Sequence, residues 1–392
     1  MKFIKGKTRI EYGGAMLGFE EVKAVMDVML SQGGRRWTVG PESIAFEKEL
    51  AEVTGVSRAV VVNSGSSALL IALAALKLKK GAKVGIPALN FPTAFNAIIQ
   101  NGYTPVVFDC DPKTLNISLN EIDIYTRTQT LDAVIAVNIA SNPVNVPKLR
   151  QIVGYGTKII TDNCDGYGTI GPDGLFIDTK ADISCVSFHA AHIITTGEGG
   201  AVLTNNEELA DRVLKMREWG RASGTDNIYS YEGFPNDYRE RYVYEEIGYN
   251  MKPLELQCAM GRVQLKKLDH FREIRMRNFT LINDQIKQMK KFDTISTDWE
   301  GSKVCYFSYP FMCRGVDRKT VMETLEKNNI ECRTIFSGNI LLHPAYKDVE
   351  CEKPFDPYPN ATDVMNNGVF ISVHPSITPE MINFIGEVLR AI

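Results

Sequence analysis

Three short segments of this chain carry side chains suited to chemistry. The first is Ser187-Phe188-His189-Ala190-Ala191-His192-Ile193-Ile194-Thr195-Thr196-Gly197-Glu198-Gly199-Gly200, in which His192 offers an imidazole that exchanges a proton near neutral pH. The second is Ile159-Ile160-Thr161-Asp162-Asn163-Cys164-Asp165, an apolar run that ends in two carboxylates. A carboxylate in that setting can hold a pyridine nitrogen protonated and so make the ring an electron sink. The third is Ser64-Gly65-Ser66-Ser67, where hydroxyls and backbone N–H groups meet at the start of a helix, a combination suited to a phosphate dianion. Each segment also has a purely structural reading: the serines as a helix cap, Asp162 as a turn cap, and His192 as a packed histidine like His189, His270, His343 and His374. No GxxxxGK[ST] or GxGxxG occurs, which excludes phosphate loops of those types.

The elements that must position these residues follow from hydrophobic spacing. Residues 17–54 carry helical periodicity, interrupted at Gly40-Pro41 before a second helix near Glu42. Then come a strand at 59–62, a helix at 68–77, a strand at 83–86, a helix from Pro92, strands at 104–108 and 133–137, a helix from Val146, and strands at 158–161 and 201–204. Strands alternating with helices predict an α/β fold with a mostly parallel sheet covered on both faces, and ligands bind such sheets beyond the carboxyl ends of the strands. The polar stretch 221–246 is too long for a routine connection and reads as a functional loop or partner contact. From Pro253 a helix is predicted to about Asn278, followed by elements at 306–313, 318–327, 368–373 and 379–389. The organisation expected is a large cofactor-binding α/β domain over 1–252 and a smaller C-terminal α+β domain with its linking helix over 253–392.

Composition narrows the partners. Forty-four basic against forty-seven acidic residues give a net charge of −3, which offers no footprint for nucleic acid or an anionic membrane, so a bound phosphate must be held locally. Residues 1–7 lack the apolar stretch of a signal peptide and the longest apolar run, 68–76, is too short to span a bilayer; the expected location is cytoplasmic. The eight cysteines show no CxxC spacing, so neither a zinc site nor a disulfide framework is signalled and no metal is expected.

Taken in order, the motifs resemble those of the DegT/DnrJ/EryC1/StrS aminotransferase-like family, which acts on nucleotide-linked sugars. The markers are Asn63-Ser64-Gly65-Ser66-Ser67, Pro87-Ala88-Leu89-Asn90-Phe91-Pro92-Thr93, Asp162-Asn163-Cys164-Asp165, Gly197-Glu198-Gly199-Gly200 and Ile247-Gly248-Tyr249-Asn250. The resemblance covers nearly the whole chain and implies the type I fold of enzymes that use pyridoxal phosphate (PLP). It further implies that Gly65, Ser66 and Ser187 hold the cofactor phosphate, that Phe91 stacks on the ring, that Asp162 pairs with the ring nitrogen, and that Asp165 lies near the ring hydroxyl. Asn250 resembles the residue that reaches the phosphate of the neighbouring subunit, which implies a homodimer with shared sites, and Arg333 is a candidate contact for the nucleotide-sugar.

Where the aminotransferases have the lysine that tethers PLP, this chain has His192. It is most similar to the branch of 4-keto-6-deoxy sugar 3-dehydrases, which share that histidine, and Arg217-Glu218-Trp219-Gly220-Arg221, Gly248-Tyr249-Asn250-Met251-Lys252 and Arg333-Thr334-Ile335-Phe336-Ser337-Gly338-Asn339 also look like that branch. Some of its members carry an iron–sulfur cluster with cysteines just after the Trp-Gly-Arg motif; here that stretch, Arg221-Ala222-Ser223-Gly224-Thr225-Asp226, has none, and only Cys164 matches. The reading is a C3 dehydration of a nucleotide-linked 4-keto-6-deoxy sugar by pyridoxamine phosphate (PMP), with His192 as base, an amino donor such as glutamate to regenerate PMP, and no iron–sulfur reduction. Two alternatives stand: a sugar aminotransferase that borrows another lysine such as Lys252, and a non-catalytic binder of PMP or a nucleotide-sugar.

Overall fold

Alternate residues of the central strands enter opposite cores. In β1 (Arg58–Val62), Val60 and Val62 join one apolar cluster while Ala59 and Val61 join another on the far side, as period-two geometry requires of a sheet covered on both faces. The computed structural model describes residues 3–31, 37–223, 227–230 and 233–392. Its large sheet comprises β1, β2 (Lys83–Pro87), β3 (Thr104–Phe108), β4 (Ala133–Val137), β5 (Lys158–Asp162), β6 (Ile183–Ser187) and β7 (Gly200–Thr204), in the spatial order β1-β7-β6-β5-β4-β2-β3. The strands from β6 to β3 run parallel, and β7 is antiparallel to both neighbours. Because β7 runs backwards, it starts where β1 and β6 end: Gly200 pairs with Val62 on one side and with Ser187 on the other. Asp162, the last residue of β5, lies beside Val137 and Cys185 on the same rim.

Helices α1 (Phe19–Leu30), α2 (Pro41–Thr54), α3 (Gly65–Ala75) and α4 (Pro92–Gln100) precede the middle of the sheet. The helix expected over 68–77 starts three residues earlier, because Ser64 caps it: its Oγ accepts the Ser67 N–H at 3.1 Å. Gly65 and Ser66 are therefore the first turn of α3. The single helix expected from Pro253 is two, Glu255–Leu265 and Leu268–Ile286. Neither Gly nor Pro marks the break. A distant carboxylate holds it, since the buried Glu21 accepts from Lys267 Nζ at 2.6 Å and from Gln264 Nε2 at 2.7 Å.

The second sheet is antiparallel, with β8 (Phe292–Thr294), β9 (Ser308–Cys313), β10 (Cys332–Arg333) and β11 (Gly368–Ser372) in the order β10-β11-β9-β8. Helices Leu268–Ile286, Arg318–Lys327 and Pro379–Ala391 cover it through Ile282, Val321, Leu325 and Leu389. The N-terminal segment joins this layer: Ile10 bridges Ile330, and the Phe3 and Phe384 rings meet at 5.8 Å. Within the polar stretch 221–246, residues 224–226 and 231–232 lie outside the described residues. The remainder folds back on itself through bridges between Arg221 and Tyr244 and between Ile228 and Arg239. Gly220, at φ +83°, lies so close to Glu246 that a Cβ would stand 1.8 Å from its carbonyl oxygen. Among the described residues no helix is long and apolar enough to cross a membrane.

Candidate active site

A cavity of about 500 Å³ opens at the carboxyl ends of the large sheet and is closed on one side by the small sheet and the N-terminal segment. Gly65, Ser66, Phe91, Asp162, Asp165, Ser187, His192 and Arg333 all line it. Asn250 lies outside the cavity of its own chain, exposed, with its Oδ1 accepting from Lys252 Nζ at 2.6 Å. Lys252 itself sits 3.2 Å over the Trp219 ring. No lysine is among the described residues that line the cavity.

At the floor, strand register assembles the phosphate corner. The β1–β7–β6 pairing brings Ser187 against the first turn of α3, where unpaired N–H groups and the helix dipole favour an anion. Gly65 is required for that approach, since a Cβ there would lie 2.7 Å from Ser187 Cβ and 2.8 Å from Cys164 Sγ.

Asp162 and Asp165 lie beyond β5, 5% and 8% exposed. Asp162 Oδ1 accepts the Cys164 N–H at 3.2 Å, while Asp165 Oδ2 is buried without a partner. Burial pushes both carboxyls upward, Asp165 well above the usual range with Asp162 adding to it. Two buried carboxyls with no cation in contact are complementary to a ligand that brings a protonated nitrogen and a hydroxyl. Beside the N-terminal corner of α3, they form a donor set that fits a phosphorylated pyridine. The support beneath is polar and closed: Asn163 donates to Asp178 at 2.8 Å and accepts from Asn138 at 2.9 Å, and Ser141 Oγ donates to the Asp165 carbonyl at 2.8 Å.

His192 stands over this floor with its side chain 17% exposed, and its Nε2 lies 3.6 Å from Asp165 Oδ1. Its Nδ1 is buried without a partner. The ring packs edge-on against Phe307 at 5.4 Å and His189 at 5.5 Å. Burial, then the facing His189 and Arg275, lowers it to about 3, so the imidazole is neutral across the physiological range.

Several lining residues carry no local signal in the sequence. Tyr12 enters from the N-terminal segment, its ring against Phe307 at 5.4 Å and Phe370 at 5.1 Å, with the Arg333 guanidinium 5.4 Å over it. Burial, and next the charge of Asp165, raises its hydroxyl well above the usual phenol value. At the mouth His189 Nε2 faces Glu198 Oε1 at 3.8 Å. Outside the lining, Arg275, 1% exposed, donates to the Phe307 carbonyl at 3.2 Å. Periodicity flags neither Tyr12 nor Arg275, because each meets the site through contacts made far along the chain, whereas His189 and Glu198 lie in the same segment as His192.

Comparison with known proteins matches residues 17–390 to the DegT/DnrJ/EryC1/StrS aminotransferase family. The lipopolysaccharide biosynthesis protein RfbH of Salmonella typhimurium is 32% identical, over 98% of this chain and 91% of that protein. The GDP-4-keto-6-deoxy-D-mannose 3-dehydratase of Escherichia coli O55:H7 is 31% identical, over 94% of this chain and 96% of its own. A crystal structure of GDP-4-keto-6-deoxymannose-3-dehydratase with a trapped PLP–glutamate geminal diamine superposes with a TM-score of 0.88 at 28% identity, covering 97% of this chain and 99% of that one. These bear out the resemblance to the 3-dehydrase branch and the α/β aminotransferase fold read from the motifs. The chain belongs to the DegT/DnrJ/EryC1/StrS aminotransferase family.

Proposed function

We propose that this chain catalyses the C3 dehydration of a nucleotide-linked 4-keto-6-deoxy sugar with PMP/PLP, using His192 as the base and no iron–sulfur cluster. The observation that carries this reading is the cavity itself: a neutral imidazole stands over two buried carboxyls, and among the described residues no lysine lines the wall. Bound as PMP, the cofactor supplies an amine for the 4-keto group and a ring that accepts electrons. Gly65, Ser66 and Ser187 hold its phosphate, Phe91 covers the ring face, Asp162 keeps the ring nitrogen protonated and Asp165 meets the ring hydroxyl. His192 takes the proton at the C4′ carbon and, being unable to tether the cofactor, leaves the site free to lose the C3 hydroxyl. Glutamate serves as the amino donor that restores the amine, in keeping with the adduct trapped in the solved dehydratase. Among the described residues that line the cavity Cys164 is the one cysteine, and one thiol falls short of the four a cluster takes.

The functional unit in this proposal is a homodimer. Phe19, Val22, Met26 and Leu30 on α1 are half or more exposed, as is Ile247, and Asn250, three residues after Ile247, is exposed as well. That surface fits a second copy whose Asn250 completes the phosphate site.

The test is to incubate the protein with PMP, glutamate and a panel of 4-keto-6-deoxy nucleotide-sugars, GDP-linked first, and to weigh the sugar. Loss of the C3 oxygen is expected; nitrogen retained on the sugar establishes amino transfer instead. Borohydride treatment of the PLP-loaded protein should attach nothing to the chain, and a lysine adduct overturns the assignment of His192. Turnover that persists in His192→Asn removes the histidine as base, and no turnover of any sugar by the native protein favours a binder.

A further inference from the structure

One buried charge has no place in the roles above. Arg275, on the helix Leu268–Ile286, makes no ion pair with a described residue and yet is 1% exposed, an expensive position for a guanidinium. It is held by carbonyls alone. Nη1 donates to the carbonyls of Tyr306 at 3.0 Å and Phe307 at 3.2 Å, and Nη2 reaches the carbonyl of His192 at 3.5 Å. The fork therefore spans two segments: the strap that carries Phe307 and the turn that carries His192.

That span matters because few polar contacts anchor the imidazole, the Ser187 backbone beside it being one. Its Nδ1 makes no hydrogen bond within normal geometry, its Nε2 is 3.6 Å from the nearest carboxylate oxygen of Asp165, and the rings of Phe307 and His189 pack against it. We propose that Arg275 is the positioning residue of His192, setting the distance between the histidine backbone and the Phe307 wall. The imidazole is then aimed by its backbone and its ring contacts. A planar fork can bridge two sets of carbonyls at once, whereas an ammonium satisfies one set. The inference rests on His192 being the base, and the experiment separates the two claims.

The variants are Arg275→Met and Arg275→Lys, each compared with the native holoenzyme. The readouts are kcat and KM for the sugar, together with the imidazole nitrogen NMR signals of His192, assigned by their absence in His192→Asn. Arg275→Lys keeps the charge and the native melting temperature, yet kcat falls about tenfold with KM nearly unchanged, since a displaced group loses its near-attack geometry. The His192 signals shift in the same variant. Arg275→Met gives the same shift and a larger loss of kcat; if it fails to fold, the lysine variant decides alone. A folded Arg275→Lys enzyme with native kcat, or with unshifted His192 signals, overturns the proposal, as does a loss carried by KM. If the native protein dehydrates no sugar, the proposed function falls, and the NMR signals alone decide whether Arg275 holds His192.

Discussion

The floor of the cavity is built by the large sheet and the helix that follows β1, whereas the rim opposite draws on the N-terminal segment and the small sheet, which lie far apart in the chain. Ser66 opens α3, Asp162 ends β5 and Ser187 ends β6, and strand register alone brings them together. The rim draws Tyr12 from the N-terminal segment, Phe91 from the entry to α4 and Arg333 from β10. The floor is also dry, with Asp162 and Ser187 at 5% and 6% exposure, while Phe91 is 52% exposed. The contrast separates a buried floor fixed by the large sheet from a more exposed rim held by contacts between distant segments, while His192 itself sits on a turn.

Four experiments would break or sharpen that contrast. Asp162→Asn removes the carboxylate at the centre of the floor, and we expect a loss of kcat on the order of 10²–10³, as for the removal of one preorganised electrostatic group, with cofactor still bound by absorbance. Near-native turnover would show that the floor does not govern the chemistry. Gly65→Ala places a methyl 2.7 Å from Ser187 Cβ and 2.8 Å from Cys164 Sγ, contacts that must be relieved by movement. It should cost about 1–3 kcal/mol of stability and weaken PMP binding about tenfold, read by urea titration and cofactor titration. On the rim, Arg333→Met should raise KM for the nucleotide-sugar about tenfold with kcat nearly unchanged, the cost of one charge-assisted contact. A fall in kcat instead would move Arg333 into the chemistry.

The smallest effect lies behind the rim. His374 donates from Nε2 to the Gly14 carbonyl at 2.9 Å and accepts at Nδ1 from Ser376 Oγ at 2.7 Å, tying the N-terminal segment to the small sheet. Burial, then the charge of Arg275, lowers it to about 4. As pH falls below about 6.5 the unfolded chain takes up this proton and the folded protein does not, so stability is lost between about 6.5 and 4 and is unaffected above. Asp162, Asp165 and Asp178, raised by burial, act in the opposite sense, so the measurement is a difference. His374→Asn should lose about 1–2 kcal/mol less than the native protein between pH 7 and pH 5 in urea melts. Equal losses in the two proteins would show that His374 does not titrate in this way.

Legibility in the sequence divides along the same line. The β5 run and its acidic end, the serine turn and the alternation of strands with helices are local patterns, readable because strand and helix periods act over a few residues. The break at Lys266–Lys267 was not readable, because Glu21 imposes it from far along the chain. Nor was the reversal of β7, which no local period encodes.

From its residues alone the chain declares an α/β frame, an imidazole where its family tethers a cofactor, and carboxylates and hydroxyls suited to a phosphorylated ring. Tertiary structure decides which of five histidines overlooks the carboxyls, and it supplies Tyr12, Phe307 and Arg275 around the one that does. The physical reason is range. Backbone periodicity and capping act within a few residues, whereas the carbonyl of His192 meets the guanidinium of an arginine 83 residues away, a contact that no single segment contains.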